Sequence, residues 1–584
     1  MKKIIKYALF TAILIAMFLS NNMYAQTLSW AKTWNSGAYD NDEAHAVVVD
    51  ASGNVYTTGK SQTATGTQLE TIKYNSSGTQ IWAISTSSSY GWQNGIDIAV
   101  DPAGYYVWVA GSTSDVNGHS HLTLIKYKVS NGSIPSGFPK IYNDNPGNNW
   151  ARGTCLAVYD TSNVYIGGST NDGTNWNLIV LKNNPSGTGW SWTYTNTNYQ
   201  SATQAEATDL KINASNTALY VTGNYFRGAG YGEDILTAKL NPSTGGESWI
   251  SRYDGAGYDD FGNAIAFDGD GYVYVAGYSH LTSGSNKEDA LLLRYHGSGT
   301  YQYAQTYNGS SYNDWWSDIT VGPKLVFGYV IFVGGTTTLG LAESHDENYL
   351  LGAYYSTNGN SYWGTNPVTY DGVKTPPEAT GTDEGWAISY EPSTSRIYIS
   401  GRSDETNSIV NITTRGYQVS DGTNVFSTSY DYNNTTQQLA DQIYSKYTLK
   451  TKYGTCSTDQ IYVAGDKAVA NNGYDYLTLK YGYNGQPCDG PIDGRLANLS
   501  NETQTDFYPN PFYSEAVLSI NNDNLVSNAS LYIYDMTGKV MRYQNNINTN
   551  TIIIKREDLT PGIYFYKLSD DRHILSSGKF MIVD

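Results

Sequence analysis

The feature that most constrains this chain is a short segment ending in glycine that recurs eight times. Each copy begins with Val, Leu or Ile, as in Val55–Gly59 and Val273–Gly277. The eight glycines are 52, 57, 55, 54, 58, 66 and 64 residues apart. A nearly constant period of this size is typical of a repeat fold and not of unrelated domains joined in series.

Each copy also has the same surroundings. An apolar segment and an Asp or Asn turn precede it, as at Ala46–Asp50. A strand ending in a base follows, such as Thr71–Tyr74, and a Gly turn then leads to a strand with an aromatic residue such as Trp82. Four strands per unit without helical periodicity predict an all-β fold in which each unit is one blade of a β-propeller.

The two ends of the repeat region predict how the ring closes. The eighth unit stops at Tyr481 without a fourth strand, whereas Leu28–Trp34 reads as a strand without a unit. If this first strand completes the last unit, the chain forms an eight-bladed ring over residues 26–488 without exposed edges. Seven blades plus an irregular unit is the alternative, because the last two spacings are the longest.

The units resemble the bacterial SBBP-type β-propeller repeat, and Ala44–Gly59 matches its pattern almost throughout. The resemblance covers roughly residues 27 to 488, although Gly322 and Glu391 replace the turn Asp in units six and seven. It implies a fold and no particular activity.

The first 25 residues have the composition of an export signal. Lys2, Lys3 and Lys6 precede an apolar run that is too short to span a bilayer comfortably, and cleavage is expected after Ala25. An uncleaved anchor is the alternative. No later run is comparable, so no transmembrane segment is expected in the mature chain. Removing residues 1–25, with three Lys and no acid, leaves 32 bases against 53 acids, a net charge of −21 that argues against nucleic-acid binding.

The C-terminal region differs from the repeats. Residues 489–505 are polar and read as a linker, and residues 506–584 hold about five to seven short strands with turns at Met536–Gly538 and Thr560–Gly562. This pattern predicts a small Ig-like antiparallel β-sandwich.

This segment resembles the C-terminal sorting domain (the Por secretion tail) of type IX secretion substrates. The matching motifs are Tyr508–Pro511, Tyr534–Lys539, Leu559–Tyr564 and Gly578–Phe580, in the family's order. The resemblance implies a Gram-negative host, the type IX secretion machinery as partner, and a secreted or outer cell-surface location. An ordinary appended sandwich module is the alternative.

Acids recur just before the first strands of most units. They are Asp42, Glu43, Glu206, Asp259, Asp260, Asp314, Asp383, Glu384 and Asp441. The repeat places them on one rim, where a ring of carboxylates can hold a cation or meet a basic partner. Alternatively they accept backbone hydrogen bonds in the loops, an interpretation favoured because units two and three lack the acid.

Two other patterns suggest a metal only weakly. Asp268–Gly271 resembles a calcium loop but lacks the later bidentate Glu, so a hairpin turn is favoured. His119 and His121 lie two residues apart without a third ligand nearby, which favours surface histidines. The Lys and Arg that close the third strands recur in seven of eight units and are expected to be framework. We therefore assign no catalytic, cofactor-binding or metal residue and no cofactor.

Aromatic residues cluster in the loops that lead into the first strands. They are Tyr39, Tyr90, Trp92, Trp150, Tyr258, Trp315, Trp316 and Trp386. Aromatic platforms beside acids and amides suit sugar rings, although packing between units would also explain them. The sequence thus favours a non-enzymatic binding or adhesion scaffold with a glycan or protein ligand on the rim. A polysaccharide-active enzyme that uses rim carboxylates, or a purely structural surface protein, is the alternative.

The chain has three cysteines, and an exported chain can oxidise them. Cys456 and Cys488 flank adjacent strands of the eighth unit, within bridging reach. We predict a Cys456–Cys488 disulfide, with Cys155 left as a buried thiol in the third unit. Three unbridged thiols are the alternative.

Overall fold

The structure, a computed structural model, divides the chain into two compact units, Met1–Cys488 and Asp489–Asp584. The residues it describes are 26–37, 41–64, 66–86, 92–142, 150–196, 204–226, 232–280, 287–309, 313–325, 328–339, 346–364, 367–371, 382–406, 409–430, 448–453, 459–469, 473–483, 504–508, 512–521, 529–534, 540–557, 559–569 and 574–583. All regular structure in these ranges is β-strand, so the all-β prediction is confirmed. Across the same ranges no helix is long and apolar enough to cross a membrane.

The first compact unit contains all eight repeats, and we call it the repeat unit. It begins with β1 (Gln26–Trp34), which is followed by four antiparallel sheets. Sheet 1 contains β2 (Glu43–Val49), β3 (Val55–Thr63), β4 (Gly66–Tyr74) and β5 (Gln80–Thr86). Sheet 2 contains β6 (Asn94–Val100), β7 (Tyr106–Ser114), β8 (Ser120–Lys128) and β9 (Lys140–Tyr142). Sheet 3 contains β10 (Ala151–Val158), β11 (Val164–Asn171), β12 (Trp176–Asn183) and β13 (Trp190–Thr195). Sheet 4 contains β14 (Gln204–Ile212), β15 (Leu219–Phe226), β16 (Glu233–Leu240) and β17 (Glu247–Tyr253).

Three further sheets of four consecutive strands follow. The eighth sheet combines the last three strands of the repeat unit with its first strand, β1. Sheet 5 contains β18 (Asp260–Phe267), β19 (Val273–Ser279), β20 (Asp289–Tyr295) and β21 (Tyr301–Tyr307). Sheet 6 contains β22 (Asp314–Leu325), β23 (Gly328–Leu339), β24 (Asp346–Tyr355) and β25 (Val368–Tyr370). Sheet 7 contains β26 (Glu384–Glu391), β27 (Arg396–Thr406), β28 (Ile409–Gln418) and β29 (Asn424–Tyr430). Sheet 8 contains β30 (Thr448–Tyr453), β31 (Asp459–Val469), β32 (Gly473–Tyr483) and β1.

The strand that completes sheet 8 is the one that the sequence left without a unit. β1 runs antiparallel to β32, with Leu28 opposite Tyr481 and Thr33 opposite Leu477. The predicted pairing of the first strand with the last unit is therefore confirmed. This pairing also covers the edge that β32 would otherwise expose.

The core of the repeat unit lies between neighbouring sheets. The second and third strands are buried on both faces, as in β3 and β20, whereas fourth strands such as β5 have more exposed residues. This explains why the glycine-ended segments consist mainly of apolar and small residues and do not alternate with charged ones. The first strand of each sheet contacts the first strand of the next, and β30 contacts β2, so the first strands form a closed inner ring.

A repeated contact fastens four of the seams, by which we mean the surfaces between neighbouring sheets. At the seam between sheets 1 and 2, Trp82 Nε1 and Lys73 Nζ both donate to the carbonyl of Val129, at 3.3 and 2.9 Å. The corresponding Trp and Lys of sheets 3, 4 and 8 share a single loop carbonyl in the same way. The prediction that the third-strand bases belong to the framework is confirmed for these lysines.

The inner ring holds the sheets together from inside through a β-bulge in the first strand. The extra residue of the bulge bonds to a carbonyl of the next sheet, as Asn263 Nδ2 does to Trp316 at 2.8 Å. In sheets 2, 4 and 6 the residue after the bulge is an aspartate that accepts a backbone N–H of the following sheet at 2.9 Å. These aspartates are Asp97, Asp209 and Asp318. In these sheets the bulge thus directs polar side chains across the seam.

The second unit contains seven strands in two sheets within the described residues. The three-stranded tail sheet contains β33 (Gln504–Tyr508), β34 (Glu515–Asn521) and β37 (Thr551–Lys555). The four-stranded tail sheet contains β35 (Ala529–Tyr534), β36 (Val540–Ile547), β38 (Gly562–Ser569) and β39 (Ile574–Ile582). Inward residues of both sheets, such as Leu518 and Ile533, form one core.

The cysteine predictions can be followed only in part. Cys155 lies on β10 and is buried, as expected. Cys456 and Cys488 lie outside the described residues, as does the predicted signal peptide, so both of those interpretations stay predictions.

Candidate functional site

Four of the predicted rim acids are buried at the starts of the first strands. Asp42, Asp260 and Asp314 each accept a hydrogen bond from a backbone N–H of the preceding loop, at 2.7, 2.7 and 2.8 Å. Asp383 is buried at the corresponding place. Burial raises the pKa of Asp260 and of Asp314 to about 6. Asp42, Asp260 and Asp314 thus accept hydrogen bonds within the loops. This was the alternative to an open ring of carboxylates.

The predicted glutamates lie on the strands and are engaged in ion pairs. Glu43 Oε1 lies 2.8 Å from Lys60 Nζ, and Glu384 Oε2 lies 3.1 Å from Arg402 Nε. Glu206 pairs with an arginine of the neighbouring sheet. Asp259 accepts the backbone N–H of Glu233 at 2.8 Å, and Asp441 lies outside the described residues.

One group of acids in the described ranges has the proximity that a metal site requires. Asp234, Asp254 and Asp260 bring carboxylate oxygens within 4.8 Å of one another between sheets 4 and 5. Arg252 already lies among them, with Nε 3.0 Å from Asp234 and Nη2 2.5 Å from Asp254. This arginine supplies the positive charge that a cation would bring, so the group is explained as part of the fold.

The two weak metal patterns have local explanations. Both oxygens of Asp268 accept bonds within its hairpin turn, two from backbone N–H groups at 2.9 Å and one from the Tyr274 hydroxyl at 2.7 Å. His119 Nδ1 and His121 Nε2 each lie 3.4 Å from one oxygen of Asp115. The structure therefore adds to the histidines a carboxylate neighbour that the sequence analysis missed.

The aromatic residues predicted to form a platform differ in their exposure. Trp92, Trp150 and Tyr258 are 70%, 43% and 36% exposed at the starts of sheets 2, 3 and 5. Trp316 is fully buried between sheets 5 and 6, so its assignment to an exposed platform was wrong and the packing interpretation applies. Trp315 and Trp386 are partly buried, and Tyr39 and Tyr90 lie outside the described residues.

The first two strands of each sheet carry a set of side-chain pairs that the sequence analysis did not recognise. In sheets 1 to 7, a first-strand residue faces the residue directly after the repeat glycine. We call these the rim pairs: Glu43/Lys60, Asn94/Ser112, Arg152/Ser169, Glu206/Asn224, Phe261/Tyr278, Trp315/Thr336 and Glu384/Arg402. The framework repeats from sheet to sheet, whereas these pairs change from charged to amide to aromatic. Such variation at a fixed position was readable from the residue after each glycine.

A cavity of about 270 Å³ opens where the rim pairs of sheets 3, 4 and 5 meet. The rim pairs supply most of its wall, and the ends of third strands add an aromatic and an acid. The lining residues are Arg152, Ser169, Trp176, Gln204, Ala205, Glu206, Asn224, Glu233 and Phe261. Aromatic, amide and charged groups therefore converge on one concave site, as is common for small-ligand sites.

One wall of the cavity is an ion pair that lies over an aromatic ring. Arg152 Nε lies 2.5 Å from Glu206 Oε1, and its Nη2 donates to Glu206 Oε2 at 2.7 Å. Ser169 donates to the same carboxylate at 3.2 Å. The guanidinium carbon is 5.4 Å from the ring centre of Trp176, within cation–π range. These contacts place the half-exposed Arg152 side chain between Glu206 and the ring of Trp176.

The cavity lining also contains a second acid, Glu233. Burial raises the pKa of Glu233, and the negative charges of Asp259 and Glu206 raise it further. Burial also raises the pKa of Glu288. His280 opposes this increase, and the negative charge of Asp259 adds to it. Each of these carboxyls thus carries a proton more readily than usual, first because it is buried and then because other acids lie close by.

Comparisons with known proteins bear on the two units separately. Residues 506–583 match the family described as "Secretion system C-terminal sorting domain", and residues 248–281 match that described as "Beta-propeller repeat". No curated protein matches the sequence. Among solved structures, "Crystal structure of polysaccharide lyase Uly1" is similar over 78% of this chain and 98% of that chain, at 10% identity and a TM-score of 0.37. A similarity of that size carries no inference about activity.

Proposed function

This chain is a β-propeller-repeat protein with a type IX secretion C-terminal sorting domain, and we propose that it is a binding scaffold whose ligand site is the cavity between sheets 3, 4 and 5. The sorting domain makes it a secreted or cell-surface protein and implies the type IX machinery as a partner. The proposed ligand is therefore one that is present outside the cell, such as a glycan.

We propose that the eight described sheets are the blades of one propeller, with β1 closing the ring in residues 26–488. The seven-bladed alternative would leave one of these sheets outside the repeat, although all eight contain four strands. We likewise propose that the two tail sheets form an Ig-like sandwich, since their inward residues share one core.

The binding proposal rests on one observation: the cavity lies at the positions where the rim pairs differ from sheet to sheet. The cavity lies where three rim pairs of different chemistry meet, and Tyr258 is exposed at the start of one of the three sheets. Its ion pair, its two aromatic rings and the amides of Gln204 and Asn224 are groups that hold sugar rings and their hydroxyls.

The experiment is a glycan array with the mature protein, followed by calorimetry on the glycans retained. Phe261→Ala should weaken binding by about tenfold or more, because it removes an aromatic wall of the cavity. Trp315→Ala is the matched control, since Trp315 has the same register position in sheet 6 but does not line the cavity. Equal effects of the two substitutions, or no retained glycan, would contradict the proposal and favour a purely structural role.

A polysaccharide-active enzyme is the second candidate, because a carboxyl of raised pKa beside another carboxylate is the pattern of a general acid. We propose binding without catalysis, since Glu206 is engaged by Arg152 through two contacts and is not free to act as nucleophile or base. Release of reducing ends from a bound polysaccharide, abolished by Glu233→Gln, would establish the enzyme instead.

A further inference from the structure

The charge of the cavity restricts the class of ligand that it can accept. Its lining contains two acids, Glu206 and Glu233, and one base, Arg152. Because Arg152 and Glu206 neutralise each other, Glu233 remains as an uncompensated acid in the wall. An anionic sugar would meet this acid without a free base to bind, so uronate polymers are disfavoured.

The surroundings of the cavity add to this excess of negative charge. Asp259 accepts the backbone N–H of Glu233 at 2.8 Å, and its charge acts on both Glu233 and Glu288. Glu233 and Glu288 occupy the same register position in sheets 4 and 5, three residues before the residue that faces the repeat glycine. The result is a group of acids that spans two sheets, of which Glu233 lines the cavity. A cation placed there would relieve the repulsion among these carboxylates.

Aromatic rings in the same wall favour a cation of a particular kind. Phe261 lines the cavity and stacks on Tyr278, with ring centres 4.7 Å apart. Aromatic faces attract ammonium groups and also pack on the apolar faces of sugar rings, whereas a bare metal ion would gain little from them. The amides of Gln204 and Asn224 can bond to hydroxyl groups beside the ammonium. A sugar that carries a free amino group satisfies the aromatic, amide and acidic parts of the wall together.

We propose that the cavity binds a protonated amine, and that its ligand is a polysaccharide with unacetylated hexosamine units. The amine lies against Glu233 and Phe261, and the ring hydroxyls bond to the amides. This inference rests on the proposed binding function and assigns its ligand class. A cavity of about 270 Å³ has room for a single sugar ring, so one unit of the polymer would be read at a time.

The test is calorimetry on the mature protein with three oligosaccharides of equal length: glucosamine, N-acetylglucosamine and galacturonate oligomers. The first two differ only in the charge and acetylation of the amine. Glucosamine oligomers should bind about tenfold or more tightly than the acetylated ones, and salt should weaken their binding, because one charge pair is involved. Galacturonate oligomers should not bind.

Two variants link the preference to the acid. Glu233→Gln should reduce the affinity for glucosamine oligomers by about tenfold and leave that for N-acetylglucosamine oligomers nearly unchanged. Glu347→Gln is the matched control, since Glu347 occupies the corresponding register position in sheet 6 and does not line the cavity. It should change neither affinity.

The outcomes separate this inference from the function on which it rests. Equal binding of acetylated and unacetylated oligomers, lost in Phe261→Ala, would keep the binding function and overturn the amine assignment. Binding of a lysine-rich peptide in place of all three oligosaccharides would overturn the polysaccharide as the source of the amine. If neither sugars nor peptide bind, both the inference and the proposed function fail.

Discussion

The seam between sheets 8 and 1 and the seam between sheets 3 and 4 have the same chemistry but different chain connections. In the first, Trp30 Nε1 and Lys480 Nζ share the carbonyl of Ser76 at 3.1 and 2.9 Å. In the second, Trp192 and Lys182 share a loop carbonyl at 3.1 Å each. Trp192 and Lys182 belong to consecutive strands of one hairpin, whereas Trp30 and Lys480 come from opposite ends of the repeat unit.

The difference shows that a seam is specified by local contacts and not by chain connectivity. A short turn keeps the Trp strand of sheet 3 beside its neighbour even when the seam opens. Only non-covalent pairing keeps β1 beside β32. Equal contacts should therefore contribute similar stability at the two seams, but only at the seam between sheets 8 and 1 should their loss release a strand. Four experiments probe these seams.

The largest effect is expected when the first strand is deleted. Removal of residues 26–35 takes away the outer strand of sheet 8 together with Trp30 and Trp34, and it exposes the edge of β32. We expect a loss of about 5 kcal/mol or more, since two half-buried tryptophans and a whole strand are lost, and one fully buried Trp→Ala alone costs about 3–5 kcal/mol. Thermal and denaturant unfolding measure it, and a synthetic peptide of residues 26–35 should restore part of the loss. Unchanged melting temperature and solubility would refute the closing role of β1.

A matched pair of single substitutions compares the two seams directly. Trp30→Ala and Trp192→Ala each remove the indole that donates to the shared carbonyl, and each should cost about 3 kcal/mol of folding stability. Trp30→Ala should in addition make the N-terminal strand sensitive to protease, because no turn tethers it to β32. Limited proteolysis with N-terminal sequencing distinguishes the two variants. Equal cleavage patterns would show that connectivity does not matter at this seam.

These contacts explain why the fold could be predicted so far from the sequence. The glycine-ended strand, the Asp turn and the third-strand base each recur because most seams use them, and repetition makes a weak local signal readable. The first strand could be assigned to the last unit because an unpaired edge is unfavourable. Burial was harder to predict: Trp315 and Trp316 are adjacent, and the bulge beside them decides which one enters the core.

A buried acid makes the seam between sheets 8 and 1 sensitive to pH. Glu70 faces the repeat glycine of sheet 1, and the corresponding residue of sheet 4 is Leu236. The hydroxyl of Tyr476, in sheet 8, donates to the backbone carbonyl oxygen of Glu70 at 3.4 Å. Burial raises the pKa of Glu70 to about 7, a hydrogen bond from Ser85 opposes the increase, and the charge of Asp42 adds to it. Tyr74, Tyr127 and Tyr476 are the other titratable groups that feel its charge.

The direction of the pH effect follows from proton uptake. Between its ordinary pKa of 4.5 and about 7, Glu70 binds more proton in the folded than in the unfolded protein. Folding stability should therefore fall as pH rises through this window and remain lower above it. Glu70→Gln cannot ionise, so relative to wild type it should gain about 3 kcal/mol between pH 5 and pH 8. Denaturant unfolding across this range measures the gain, and parallel profiles for the two proteins would contradict the assignment.

The smallest expected effect concerns the lysines of the two seams. Lys480→Met and Lys182→Met each remove one hydrogen bond to the shared carbonyl and one cation–π contact, at 5.7 and 5.5 Å. Each should cost about 1 kcal/mol, because the Trp still donates to the same oxygen. Chemical unfolding resolves such a change. A much larger cost for Lys480→Met would mean that seam 8–1 has no other strong fastening.

The candidate site could be predicted less fully than the fold. Of the residues that line the cavity, the sequence analysis had named Glu206 alone. The others were missed because the cavity is assembled across sheets: Glu206 meets Arg152, and Glu233 meets Asp259. Such contacts depend on the register between strands about 50 residues apart, as between Arg152 and Glu206. A repeating sequence pattern reveals the framework residues that every repeat shares. The cavity is lined by residues that differ from one repeat to the next.

The pairing of β1 with β32 also makes closure a check on chain length. Asn35 donates to Asp475 at 2.5 Å across 440 residues of sequence, so the first strand to be synthesised has its partner almost at the end of the repeat unit. A chain that stops before β32 cannot close, however well its earlier sheets form, and it keeps two open edges that proteases and aggregation can exploit. Closure therefore depends on the presence of every repeat. Only a protein that contains all of them reaches the closed state, and it does so late, because contacts so distant in sequence form slowly.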